Sequence, residues 1–265
     1  MATTVRNKLN RHVISAQALL FRNIVGGSFE VMPDWARGYS GLSLPIFNVF
    51  LPRVPSALTD DMLADTAAFF YSRNSLYAIE IVHDQIPEGP DFLHRRRYQA
   101  LPPQPAMVLS SLPDALTVNP DVSIERVSTV PALTAFCSLQ HDVFDFDLQD
   151  MRKRFPVAQL KENKIRHYLA FLDEQPVGSA TIVFADNVAS IWNLGTADSY
   201  RRQGVATSLM CSMLVEAQKQ GCELTMLYAT PHAYNLFNKF GFEIYTQRQW
   251  FLPQSIEYGD EADSL

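Results

Sequence analysis

The 265-residue chain has little cysteine and no long apolar run. Its three cysteines, Cys137, Cys211 and Cys222, show no C-x-x-C spacing and leave one without a partner, which argues against a disulfide framework and a zinc site. No stretch of about 18 apolar residues is present, so the sequence predicts neither a membrane-spanning helix nor a membrane partner. We therefore expect a cytoplasmic protein without a bound metal.

Excess positive charge is missing too. The net charge is −6, which argues against nucleic acid as a partner. Apolar residues make up 47% of the chain, as in a globular protein with a sizeable core. Residues 1–29 are an exception, because they carry four basic side chains and no acid. They could be a mitochondrial presequence, but residues 16–21 are better explained as the first packed element of the fold.

Two common phosphate-binding motifs are absent. A nucleotide P-loop needs Lys followed by Ser or Thr after its last glycine, and the dinucleotide fingerprint needs G-x-G-x-x-G. The chain instead has a predicted strand at 188–194, a loop that includes residues 201–206, and a helix at 208–220 that Gly221 ends.

The loop has the features of an anion site. The first N–H groups of a helix lack partners inside the helix and lie at the positive end of its dipole. Gly204 lets a ligand approach the backbone closely, while Arg201 and Arg202 add positive charge. A pyrophosphate group fits these features. The amides expected to bind it are those of Gln203, Gly204, Val205 and Ala206.

Two motifs resemble those of one enzyme family. The loop Arg201-Arg-Gln-Gly-Val-Ala206 resembles R/Q-x-x-G-x-G/A, the signature of the GNAT acetyltransferases. By itself this loop is also compatible with an ordinary strand-to-helix turn. The stretch Leu236-Phe-Asn-Lys-Phe-Gly-Phe242, however, resembles the L-Y-x-x-L-G-F element that closes the cofactor site in the same family. Two motifs at the family's spacing extend the resemblance over about residues 120–250.

The resemblance implies a GNAT fold for residues 119–253. This is an α/β (α+β) architecture with a central mixed, mostly antiparallel sheet flanked by helices. The other elements predicted there are a strand at 122–127, helices at 131–139 and 148–160, a hairpin of 167–172 and 178–184, a strand at 224–229, and a short helix between Pro231 and Gly241. Residues 254–265 form an acidic tail that we expect to be frayed.

Residues 1–118 show a similar order of elements without the phosphate loop. The elements predicted there are a first helix at 5–21, turns near 26–38, and then strand 44–51, helix 59–71, strand 76–82, helix 91–98 and strand 106–109. In place of the loop, residues 52–57 hold two prolines and no glycine, and proline lacks the N–H donor that such a site needs. We interpret this half as a smaller, degenerate GNAT-like domain, with an unrelated cap domain as the alternative.

The resemblance also implies a reaction. Acetyl-CoA would be the donor and an amine the acceptor, with direct attack and no covalent enzyme intermediate. A backbone N–H near Leu194 or Gly195 would polarise the thioester carbonyl. The residues expected to bind the cofactor are Leu194, Gly195, Thr196, Arg201, Arg202, Gln203, Gly204, Val205, Ala206, Thr207, Asn235 and Phe237.

The sequence departs from the family pattern at the proton donor. Phe237 stands where the family has tyrosine, and phenylalanine cannot donate a proton. Tyr234, one helical turn earlier, is the expected substitute, and Tyr228 is the alternative. Strands 178–185 and 188–197 hold no carboxylate or histidine that could be the base. The other candidates are His167, Glu125, Asp145 and Asp147, for which a structural or solvated role is favoured.

The leading hypothesis is thus an N-acetyltransferase whose acceptor, a small-molecule or lysine-type amine, binds between the two halves. A different class is also compatible with Phe237, namely an acetyl-CoA-binding sensor with little catalysis. A third hypothesis is an acyltransferase that uses another acyl-CoA. The sequence does not define the oligomeric state, and a homodimer is compatible with it.

Overall fold

The structure is a computed structural model that describes residues 3–111 and 118–254. The helices are α1 (Thr3–Arg22), α2 (Asp60–Tyr71), α3 (Gly89–Arg95), α4 (Val130–Phe144), α5 (Leu148–Arg154), α6 (Val205–Lys219) and α7 (Tyr234–Lys239). The strands are β1 (Ser28–Val31), β2 (Trp35–Tyr39), β3 (Val49–Pro52), β4 (Ala78–Val82), β5 (Gln99–Ala100), β6 (Gln104–Leu109), β7 (Ser123–Arg126), β8 (Ile165–Leu172), β9 (Gln175–Ala185), β10 (Val188–Thr196), β11 (Leu224–Tyr228) and β12 (Glu243–Leu252).

All these strands belong to one sheet with the order β1-β2-β3-β4-β12-β6-β11-β10-β9-β8-β7, and β5 pairs with β12. Two pairs are parallel, β3 with β4 and β10 with β11, and the others are antiparallel. Helices cover both faces. On β10, Ile191 lies in the core cluster that α6 completes, whereas Val188 packs with Leu9 and Val13 of α1. The predicted architecture, a mixed and mostly antiparallel sheet flanked by helices, is confirmed.

The two halves of the chain exchange strands at the centre of the sheet. Each half has one parallel pair with a helix between its strands, β3-α2-β4 and β10-α6-β11. The last strand of the first half, β6, lies between β11 and β12, while β12 lies between β4 and β6. Each half therefore completes the sheet of the other. The division near residue 118 stays a prediction, and it falls beside residues 112–117, which lie outside the described part.

The core also joins the two halves. One cluster of buried side chains combines Phe21 of α1 and Phe47 of the first half with Phe136 of α4 and Trp250 of β12. Because these residues come from distant parts of the chain, burying them fixes the first half against the second. The cavity described below lies beside this cluster.

Three sequence predictions need correction. Residues 44–51 are not one strand, because Pro45–Phe47 form a 3₁₀ turn and β3 begins only at Val49. The helix predicted at 148–160 ends at Arg154, since Pro156 lacks an N–H for the helical ladder. The turns predicted near 26–38 are largely a pair of strands, because Ser28–Val31 form β1 and Trp35–Tyr39 form β2.

The ends of the chain complete the description. The helix predicted at 5–21 is α1, and it buries Leu9, Val13, Ala16 and Phe21 in the fold. No helix within the described ranges is long and apolar enough to cross a membrane. The predicted acidic tail, apart from Gln254, lies outside the described residues.

Candidate active site

A gap opens in the sheet where β10 and β11 separate. The two strands pair in parallel from Val188 with Leu224 to Ile191 with Leu227. On its other edge, β10 stays paired with β9 as far as Thr196. The backbone of residues 192–196 therefore has no strand partner on the β11 side. An extended ligand can pair with this free edge in the manner of an added strand.

A bulge in β10 lies at the start of this gap. One extra residue is inserted between Trp192 and Gly195, and Asn193 adopts a left-handed conformation with φ 55°. The buried side chain of Gln140 fixes the bulge, because its Nε2 donates to the Asn193 carbonyl at 3.0 Å and to Ser179 Oγ at 2.7 Å. Leu194, the next residue, lines the cavity below.

Helix packing leaves room only for glycine at position 195. A Cβ at this position would lie 2.6 Å from Val143 Cγ1 and 3.0 Å from Phe144 Cζ, both on α4. The reason is that α4 packs directly against the bulged strand.

The predicted phosphate loop forms a turn and a helix start. Gly204 has φ +83° and precedes α6 without a side-chain cap. The first helical hydrogen bond there joins Ser208 N to Gly204 O at 2.9 Å, so the amides of Val205, Ala206 and Thr207 lie before it. Asn119 braces the loop, since its Nδ2 donates to Gln203 O at 2.8 Å.

The charges around the loop favour an anion. Arg201 and Arg202 are exposed, and Arg201 forms a 2.7 Å ion pair with the exposed Asp198. The matching helix of the first half, α2, is the opposite case. Its N-terminus is capped by Thr59, whose side chain accepts from Met62 N, and two aspartates occupy its first turn. Of these two helix starts, only that of α6 combines free amides with positive charge.

The residues of the second motif lie in and beside α7. Phe237 is buried, 6.1 Å from the ring of Phe242, and lines the cavity. Asn235 is exposed. Tyr234 is half-buried against the core and is not among the residues that line the cavity. Tyr228, at the end of β11, does line it.

A cavity of about 220 Å³ continues from the gap into the space between the two halves. The second half contributes residues of β10, β11, α5, α7 and β12, and the first half contributes residues of α1, β4 and β6 and the segment around β3. Its lining is Gln17, Leu20, Phe21, Ile24, Ile46, Phe47, Val49, Glu80, Gln104, Phe144, Phe146, Arg154, Ile191, Trp192, Asn193, Leu194, Leu227, Tyr228, Thr230, Ala233, Phe237, Arg248 and Trp250.

Glu80 is the one carboxylate in that lining, and it was not predicted from the sequence. It is 2% exposed and accepts hydrogen bonds from Gln17 Nε2 at 3.2 Å and Trp250 Nε1 at 3.1 Å. Arg248 Nη1 lies 3.8 Å from Glu80 Oε2. The sequence did hold a signal, because Glu80 stands inside the otherwise apolar strand Ala78–Val82, where an acid is costly without a partner.

Tyr228 lies beside this group. The guanidinium of Arg248 stands over its ring at 3.5 Å from the centroid, and the Trp192 ring meets it edge-on at 5.8 Å. Burial, more than any neighbouring charge, raises the pKa of Tyr228 well above its usual range. The phenol is therefore protonated at neutral pH and is a hydrogen-bond donor rather than an effective acid.

Arg154 lines the cavity at the other side of the bulge. Its Nη2 is 3.4 Å from Asn193 Oδ1, and its guanidinium stands 4.1 Å from the centroid of the Phe47 ring. Burial lowers its pKa to about 10. Nothing in the sequence indicated that Arg154 lines a cavity, since an arginine in the last turn of a helix is ordinarily a solvated residue that complements the helix dipole.

The other base candidates do not line the cavity. His167 is buried, with Nδ1 2.8 Å from Thr181 Oγ1 and Nε2 2.8 Å from Gln159 Oε1. Burial first, and then the charges of Arg154 and Arg126, lower its pKa to about 3. It is therefore a neutral structural residue. Glu125 and Asp145 are exposed on β7 and after α4, and Asp147 caps α5. No cluster of three metal-ligating side chains occurs within residues 3–111 and 118–254.

Comparison with known proteins finds a family model that matches the segment around this site. Residues 133–242 match the model of the acetyltransferase (GNAT) family. This segment, which holds the bulge, the phosphate loop and α7, is therefore similar to the GNAT acetyltransferases, and the match supports a transferase of acyl groups. None of the curated proteins compared with the chain matches it.

Solved structures share the fold over most of the chain. The GCN5-related N-acetyltransferase from Kribbella flavida has a TM-score of 0.71 at 18% identity, covering 91% of this chain and 95% of its own. A functionally unknown conserved protein from Staphylococcus epidermidis has a TM-score of 0.64 at 15% identity, and the match covers 86% of this chain and 93% of that protein. The GCN5-related N-acetyltransferase from Sphaerobacter thermophilus has a TM-score of 0.62 at 10% identity, and the match covers 84% of this chain and 81% of that protein. These structures include the N-terminal part of the fold.

Proposed function

We propose that the protein is an acetyl-CoA-dependent N-acetyltransferase that binds its amine acceptor between the two halves. One observation carries the proposal. The cavity runs without interruption from the gap, where Leu194 and Leu227 line it, to Glu80 and Trp250 on strands β4 and β12. A donor entering through the gap would thus present its reacting end to a molecule held between the halves.

Donor binding is assigned to the loop and the free strand edge. The amides of Gln203 to Thr207, with Arg201 and Arg202, would bind the pyrophosphate. Each charge-assisted hydrogen bond there would contribute about 1.5–3 kcal/mol. The backbone of residues 194–196 would pair with the pantetheine arm, and the exposed Asn235 would contact the cofactor from α7. These assignments are supported by the geometry of the loop and by the family match.

The reaction needs a nucleophile, an oxyanion donor and a route for one proton. The neutral amine nitrogen attacks the thioester carbon, the C–N bond forms, and the C–S bond then breaks. A backbone N–H at the bulge, next to Leu194, would stabilise the tetrahedral oxyanion. The amine loses a proton and the thiolate gains one, so that the products are the acetamide and free coenzyme A.

Tyr228 would serve the leaving thiolate better than Tyr234 does. The cavity reaches Tyr228 and not the side chain of Tyr234, and Phe237 offers no hydroxyl. Because the pKa of Tyr228 is raised, complete proton transfer to a thiolate of pKa near 8.5 would be unfavourable. Its proposed role is therefore to donate a hydrogen bond to the departing thiolate, which takes up its proton from water afterwards.

Glu80 is assigned as the group that attracts the ammonium form of the acceptor and accepts its proton, directly or through water. It is the carboxylate of the cavity, and it comes from the first half of the chain. Its other partners, Gln17, Trp250 and Arg248, hold it in place. Replacement by glutamine should lower kcat/KM at neutral pH by roughly 10²-fold or more, with a smaller loss above pH 9, where the amine needs less help.

The test is release of free thiol from acetyl-CoA with a panel of amines, together with calorimetric binding of acetyl-CoA. Gly204→Trp and Arg201→Ala should abolish or weaken both. Lys219→Ala, at the exposed far end of the same helix, is the matched control and should leave both unchanged. Thiol release that is independent of the loop would contradict the proposal.

A binding protein without turnover is the second candidate, and Phe237 favours it. This buried phenylalanine occupies the position at which the family motif has tyrosine. Loop-dependent binding of acetyl-CoA, with no thiol release for any amine, would establish this sensor function in place of catalysis.

A further inference from the structure

Arg154 is a half-buried cation that has no acidic partner among the described residues. Three other arginines with largely buried side chains each form an ion pair: Arg37 with Glu30 and Asp65, Arg166 with Glu216, and Arg248 with Glu80. Within residues 3–111 and 118–254, no carboxylate lies within ion-pair distance of Arg154. Because a buried charge is costly unless it is paired, this guanidinium is suited to a ligand that brings the missing negative charge.

The surroundings hold Arg154 towards the cavity. The ring of Phe47 supports the guanidinium at 4.1 Å, and Asn193 Oδ1 accepts from Nη2 at 3.4 Å. Asn193 is itself fixed, since its Nδ2 donates to Thr181 Oγ1 at 3.2 Å. Arginine has five N–H donors in a planar fork, and one contact to an amide leaves most of them for a planar, bidentate acceptor such as a carboxylate.

The position of Arg154 also restricts the ligand. Its partner Asn193 immediately precedes Leu194, where we place the oxyanion donor. A carboxylate bound to Arg154 therefore lies close to the reacting carbonyl, so the nucleophilic amine must be near that carboxylate in the same molecule. An α-amino acid meets this condition, whereas a long diamine or an extended lysine side chain does not.

The rest of the cavity is small, and most of its lining is apolar. Ile46, Phe144 and Phe146 are among these apolar residues, and the volume of about 220 Å³ is below the roughly 300–1,000 Å³ of drug-sized pockets. Glu80 and Arg248 have opposite charges and lie 3.8 Å apart, so Arg154 gives the cavity lining a net positive charge.

We propose that the acceptor is a small α-amino acid or close analogue with an apolar side chain, whose carboxylate binds Arg154. This inference rests on the proposed acetyltransferase function and names its substrate class. The same carboxylate could belong to the donor, as in a malonyl or succinyl thioester, and the experiment separates the two sources.

The experiment compares matched acceptors with acetyl-CoA as donor: leucine and phenylalanine, their amides, and the amines that lack the carboxylate. The wild type should prefer the amino acids. Arg154→Gln should lower kcat/KM for the amino acids by roughly 10- to 100-fold, as expected for loss of a charge-assisted pair, and change it less than about threefold for the decarboxylated amines. Arg152→Gln, on the exposed face of the same helix, is the control and should have no effect.

Four other outcomes are informative. Equal losses for acids and amines in Arg154→Gln, or a wild-type preference for the decarboxylated amines, would overturn the inference and leave the acetyltransferase function standing. A preference for malonyl- or succinyl-CoA that depends on Arg154 would assign the carboxylate to the donor. If no amine reacts, calorimetry with N-acetyl-leucine and its amide decides, because Arg154-dependent binding of the acid alone supports the anion site without any turnover.

Discussion

The guanidinium of Arg248 lies over the ring of Tyr228, 3.5 Å from its centroid, although the strands that carry them are separated by β6. Arg248 also donates from Nε and Nη2 to Gln104 Oε1 on β6, at 3.1 and 2.7 Å. One side chain near the end of the described chain thus connects β12, β6 and β11, and it approaches Glu80 on β4. Arg248 therefore connects the strands that form this side of the cavity, which we call its floor.

Removing Arg248 should be costly mainly because Glu80 would stay behind. Arg248→Met leaves a buried carboxylate without its cation, and we expect a loss of about 3–5 kcal/mol in the free energy of unfolding. Urea denaturation followed by circular dichroism measures it. Adding Glu80→Gln to Arg248→Met should recover part of the loss. Additive losses in the double variant would show that the pair is not coupled.

A comparison with Gly221 separates the role of Gly204 in binding from the effect of its positive φ on stability. Gly204 and Gly221 both have positive φ, at opposite ends of α6, but a Cβ at Gly204 would lie 3.0 Å from Asn119 Cβ and a Cβ at Gly221 would meet no atom within 4 Å. Each change to alanine should cost about 1 kcal/mol of stability. Only Gly204→Ala should weaken acetyl-CoA binding, by roughly tenfold or more, if one amide contact is lost. Calorimetry and thermal melts compare the two variants, and equal acetyl-CoA affinities would refute the loop assignment.

Two phenylalanine substitutions distinguish the candidate hydrogen-bond donors. Tyr228→Phe removes a hydroxyl from a residue that lines the cavity, and we expect kcat to fall roughly 10- to 100-fold. Tyr234→Phe removes one from a residue outside the lining and should change kcat less than about twofold. Steady-state thiol release measures both. The reverse order of effects would restore Tyr234 as the donor that the sequence indicated.

Because two histidines are buried, we expect the protein to lose stability in mild acid. Burial lowers the pKa of His12 from 6.5 to about 4, and its Nδ1 lies 2.9 Å from Ala185 O. The unfolded chain gains the proton near pH 6.5, whereas the folded chain resists it until about pH 4. The stability associated with neutral His12 is therefore complete above pH 6.5 and is lost as pH falls towards 4, by at most about 1.4 kcal/mol per pH unit.

His167, whose pKa is lowered to about 3, adds to the same loss over a wider range. Urea midpoints measured between pH 4 and pH 7 test the effect. His12→Gln keeps a donor for Ala185 O but does not titrate. The number of protons taken up on unfolding should therefore be smaller by about one in this variant. Parallel curves for the variant and the wild type would show that His12 is not the titrating group.

The sequence predicted the second half of the fold well because its signals are local. The hairpin turn at Asp173 and Glu174, both with positive φ, and the end of α6 at Gly221, φ +69°, follow from short-range chemistry. The errors also have local causes, such as the proline at position 156 inside a predicted helix. The family motif led to the loop around Gly204 through backbone requirements that one glycine makes visible.

The polar residues of the cavity were beyond prediction for a different reason. Glu80, Arg154 and Arg248 are far apart in the chain, and only the exchange of β6 and β12 brings their strands and helices together. Each of them has an ordinary explanation in its local sequence. Their joint role depends on long-range pairing, which a single sequence does not encode in any pattern of spacing.

The strand exchange has a consequence for how the protein folds. Ala106 of β6 must pair with Tyr228 of β11, nearly half the chain away, before the cavity has a floor. Contacts this distant in sequence carry a large loop-closure entropy and slow the search for the native state. We therefore expect β3-α2-β4 and β10-α6-β11 to form early and the central strands to dock late. Catalytic competence should accordingly be the last property that a refolding chain regains.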